Sequence, residues 1–177
     1  MLKDKKGWVE FLEIAENLWR RIMHEALNKA ITLTDSAEKL LQNAGNEAIS
    51  AGLYMYAIEE YGKFLFLKQL TPSSGKVTMK YKNGFRKHSV KFRIALKQLP
   101  NECITLRQGL FDPEIFDPAI FDTEDEVIKS CETREAVFYS DFTKTAGDIE
   151  DVPYVDRECL KNAINQFKMI LSGTTIS

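Results

Sequence analysis

The first third of the chain carries apolar residues at helical spacing, and this limits the possible folds more than any other feature. Trp8, Leu12, Ala15, Trp19, Ile22, Ala26, Ala30, Leu33, Ala37, Leu40, Leu41, Ala44 and Ala48 follow one another almost entirely in steps of three and four. That is the signature of one helical face. The stripe predicts a long first helix from about Trp8 to Ala44, or two helices nearly in line, because Asp35 and Glu38 have the spacing of a capping box. Gly45-Asn46 supplies the turn that ends it.

Further helices are expected over about 47–70, 85–99, 123–142 and 154–171. Thr71-Pro-Ser-Ser-Gly75 and Asn83-Gly84 bound a polar loop, and Pro100 and Pro153 mark other breaks. Residues 100–123 repeat Leu-Phe-Asp-Pro, Ile-Phe-Asp-Pro and Ile-Phe-Asp, which reads as a surface flap packed by its own phenylalanines. No stretch shows sustained strand alternation. With only five prolines and nine glycines, the predicted class is all-α: one domain over residues 1–177, an antiparallel bundle of about five helices with a long first helix.

The second predicted helix contains the stretch LYMYAIEEYGKF, residues 53–64. It is apolar nearly all round, yet it holds Glu59, Glu60 and Lys63, and unpaired buried charge is costly. Glu59 and Lys63 stand four apart in the favourable order for an intrahelical ion pair. Glu60 lies about 100° round the helix and needs a partner elsewhere, with His88, Lys91 and Arg134 as candidates. Gly62 lets a neighbouring helix approach closely. The three charged groups read either as part of a buried polar network fixing helix register or as a functional pocket.

The net charge of -2 hides a strong asymmetry. Between Glu60 and Glu102 the chain has ten basic residues and no acidic one, while Glu102 to Glu158 holds sixteen acidic residues against five basic. Such a block either tracks a phosphate backbone or is neutralised by the acidic half, across the bundle or a subunit interface.

The N-terminus mixes charge into its first turns, unlike a signal peptide, and no run approaches the roughly 20 apolar residues of a membrane span. Cys103, Cys131 and Cys159 are widely spaced and odd in number, as expected of reduced thiols in a cytoplasmic protein. With two histidines and no CxxC, no metal centre or cofactor is expected.

Three segments together carry a resemblance. Ala57-Ile-Glu59-Glu60-Tyr-Gly62-Lys63, Phe85-Arg-Lys-His88-Ser-Val-Lys91 and Arg134-Glu-Ala-Val-Phe-Tyr139-Ser-Asp141, followed by Pro153 and a last helix, are similar in order and spacing to the AbiV-type abortive-infection family of the HEPN superfamily. The resemblance covers about residues 35–171, with residues 1–34 extending the first helix. It implies a HEPN-like bundle, commonly homodimeric, acting in bacterial phage defence. The implied action is binding of RNA or a translation component, or capture of a phage protein.

Many superfamily members are metal-independent ribonucleases with an arginine followed four to six residues later by histidine. Here Arg134 is followed by Tyr139, and no histidine lies beyond His88, so enzymatic activity is left open. The candidate catalytic set is Arg134, to stabilise a phosphorane, with Tyr139 and His88. Tyr139, with an ordinary pKa near 10, suits hydrogen bonding or base stacking better than proton abstraction. The candidate polar pocket is Glu59, Glu60, Lys63, Lys91 and Asp141. The rival readings are a true ribonuclease and a non-catalytic protein-interaction bundle.

Overall fold

Two helices joined by a tight turn form the centre of the molecule. Residues 2–3, 9–80, 88–100, 103 and 156–175 are described by the structure, a computed structural model. Along them lie β1 (Leu2–Lys3), β2 (Val9–Ala15), α1 (Glu16–Leu41), α2 (Glu47–Lys68), β3 (Lys76–Lys80), α3 (His88–Gln98) and α4 (Arg157–Gly173). The class is predominantly helical, as expected, with a small sheet that was not. Four helices lie among the described residues, and the expected helix over 123–142 and the flap over 100–123 lie outside them, apart from Pro100 and Cys103.

α1 and α2 run antiparallel. The Trp19 indole Nε1 donates to the Leu67 carbonyl at 3.0 Å, and the Ser50 hydroxyl donates to the Ala37 carbonyl at 2.7 Å at the other end. Gly45 takes φ +89 in the connecting turn, a conformation open to glycine without strain. α1 passes through residues 32–35 unbroken, so Asp35 caps nothing and is free to bind elsewhere. α2 is apolar around most of its circumference because other helices cover it on several sides, with Tyr54, Ala57, Phe64 and Leu67 fully buried.

α4 lies beside this hairpin. Asp156 caps it by accepting the Cys159 backbone N–H at 2.7 Å, and that hydrogen bond holds the Asp156 carboxyl below the usual range. Phe167 of α4 packs edge-on against Tyr54 and Tyr61 of α2. Tyr54 places its hydroxyl between the carbonyls of Cys103 and Ala163, at 3.2 and 3.3 Å. Lys168 bridges to Asp35 and Glu38 of α1 at 3.1 and 2.6 Å, and Arg157 reaches Glu47 at 3.1 Å.

The sheet corrects two expectations. Val9–Ala15, read as the start of the first helix, is strand β2, and Lys76–Lys80, read as part of a polar loop, is strand β3. They pair antiparallel with Leu12 opposite Met79 and Ile14 opposite Val77, in the order β1-β2-β3. Lys-Val-Thr-Met-Lys alternates with period two, so Val77 and Met79 are buried while the flanking lysines made the segment look like a loop. The first helix accordingly begins at Glu16 and spans 26 residues.

Candidate functional site

The charged trio of α2 is divided between two surroundings by helix geometry. Glu59 and Glu60 are adjacent in sequence and so point about 100° apart. Glu59 faces α3, where its carboxylate meets the Lys91 ammonium at 2.7 Å, and both residues are buried. Glu60 faces α1, where it meets Lys29 at 3.1 Å and its own helix neighbour Lys63 at 3.5 Å. The expected pairings are thus exchanged: Lys91 serves Glu59 rather than Glu60, and Lys63 serves Glu60, three residues away.

Gly62 explains how α3 comes close enough. A Cβ placed there would stand 2.6 Å from the Lys91 carbonyl carbon and nearer still to its oxygen, with Ala95 Cβ at 3.2 Å. Only a residue without a side chain permits that approach. The same residue of α3 therefore contributes twice: its backbone packs on Gly62 while its side chain reaches back to Glu59.

Two consequences for chemistry follow. The Glu59–Lys91 pair is withdrawn from water and already mated, which suits a positional clamp between helices better than a proton-transfer group. The Glu60–Lys63–Lys29 cluster is nearer the surface: the Lys29 side chain is 61% exposed and the Glu60 side chain 12%. Among the described residues no group of three or more histidine, cysteine, aspartate or glutamate side chains could hold a metal ion. No helix among them is long and apolar enough to cross a membrane.

Of the remaining candidates, His88 opens α3, but its side chain lies outside the described residues, as do Arg134, Tyr139 and Asp141. Lys29 was missed in the sequence. Its signal was available, since Lys29 and Glu60 stand at nearly equal distances on either side of Gly45-Asn46 and an antiparallel hairpin brings such positions together. Of the cysteines, Cys103 is buried and Cys159 exposed.

Among the described residues the basic block is partly neutralised from within the first sixty residues. Lys63, Lys76 and Lys91 pair with Glu60, Glu13 and Glu59, all from the first sixty residues. Lys68 instead donates to the Thr175 carbonyl and lies over the Phe64 ring.

The family model for AbiV, a HEPN family, matches residues 18–167. The chain belongs to that family. No curated protein and no solved structure gives a significant match.

Proposed function

We propose that this AbiV-family chain protects bacteria against phage by binding RNA, free or within the translation machinery, and does not use its α2–α3 charged motif to cut it. The observation that carries the reading is the Glu59–Lys91 pair, mated at 2.7 Å and buried. A general base must come within hydrogen-bond reach of the proton it removes. A carboxylate held against an ammonium between two helices does not meet a ribose hydroxyl. The pair instead fixes α3, and with it the segment between Glu60 and Glu102 that has ten basic residues and no acidic one. Such a segment suits a phosphate backbone. In this reading Arg134 is a phosphate contact, Tyr139 a hydrogen-bonding or stacking residue, and Asp141 their positioning partner. The active form is a cytoplasmic homodimer.

The test has two arms. Purified protein is incubated with tRNA and ribosomal RNA in EDTA, and retained, uncut RNA is expected. Products ending in 2',3'-cyclic phosphate, lost on Arg134→Ala, would instead establish a metal-independent ribonuclease, with His88 the candidate acid or base. In the second arm, phage plating efficiency is scored in cells expressing the wild type. Protection without any RNA binding at low ionic strength, accompanied by a co-purifying phage protein, would replace the RNA reading with protein capture.

A further inference from the structure

We draw no further inference here: the strongest candidate, the partly exposed apolar flank of the α1–α2 hairpin that carries Leu33, Leu40, Ile49 and Leu53 beside the Lys29–Glu60 pair, carries nothing because no described residue shows what covers it.

Discussion

Gly62 and Lys91 touch backbone to backbone: the carbonyl of Lys91 occupies the space a side chain at Gly62 would need. This contact brings α3 against α2 and places the Lys91 ammonium on Glu59 at 2.7 Å. The glycine and the ion pair therefore form one device, in which close approach makes the short, buried pair possible and the pair fixes the register.

Gly62→Ala tests the approach. The added methyl cannot be absorbed by a flexible side-chain tip, because what it meets is the backbone of Lys91. α3 must shift, and the substitution should cost about 3 kcal/mol despite the better helix propensity of alanine. A urea unfolding curve with a midpoint equal to or above that of the wild type would contradict this contact.

The ion pair calls for a double-mutant cycle. Lys91→Met leaves the buried Glu59 carboxylate without that ammonium, and Glu59→Leu leaves the buried ammonium without that carboxylate. Each single change should cost about 3–5 kcal/mol. The double variant should recover much of that loss, because apolar side chains of similar volume fill the same space. Strictly additive losses in denaturant unfolding would show that the two groups are not coupled.

The sequence made the helices of this fold legible where the local pattern and the tertiary surroundings agree. α2, α3 and α4 begin and end within about three residues of their expected bounds, because Gly45-Asn46, Pro100 and Pro153 are local signals. The role of Gly62 as a point of close approach was also readable. Val9–Ala15 was not, since Leu12 and Ala15 satisfy helical spacing while Leu12 and Ile14, on either side of exposed Glu13, satisfy strand alternation. Pairing with β3, some sixty residues away, decides the matter. The partners of Glu59 and Glu60 were exchanged for a similar reason: sequence spacing gives the angle between two side chains on a helix, but not which neighbouring helix each one faces.

Tyr54 offers a probe of the junction between α2, α4 and Cys103. Its hydroxyl is fully buried between two carbonyls, and burial raises its pKa well above 10, with Cys103 adding to the effect. A raised native pKa means that the tyrosine ionises first in the unfolded chain, so stability is present below the unfolded pKa near 10 and is lost as pH rises above it. Tyr54→Phe should cost about 1–2 kcal/mol at neutral pH by removing a buried hydrogen bond. It should also reduce the stability lost between neutral pH and pH values above about 10. An alkaline limb of equal steepness in both proteins would assign that loss to other groups.

Lys168 ties α4 to α1 from a more exposed position. Hydrogen bonds to Glu38 and then Asp35 raise its pKa above 10.5, against a smaller opposing effect of burial. The native ammonium is therefore favoured, and its contribution is complete below the unfolded lysine pKa and disappears as pH rises through the native one. With 37% of its side chain exposed to solvent, the bridge is screened, and Lys168→Met should cost only about 0.5–1 kcal/mol at pH 7 in low salt. The difference between variant and wild type should shrink in about 1 M salt and vanish at strongly alkaline pH. A loss independent of both salt and pH would mean that the methylene stem of Lys168 holds α4 in place by packing rather than by charge.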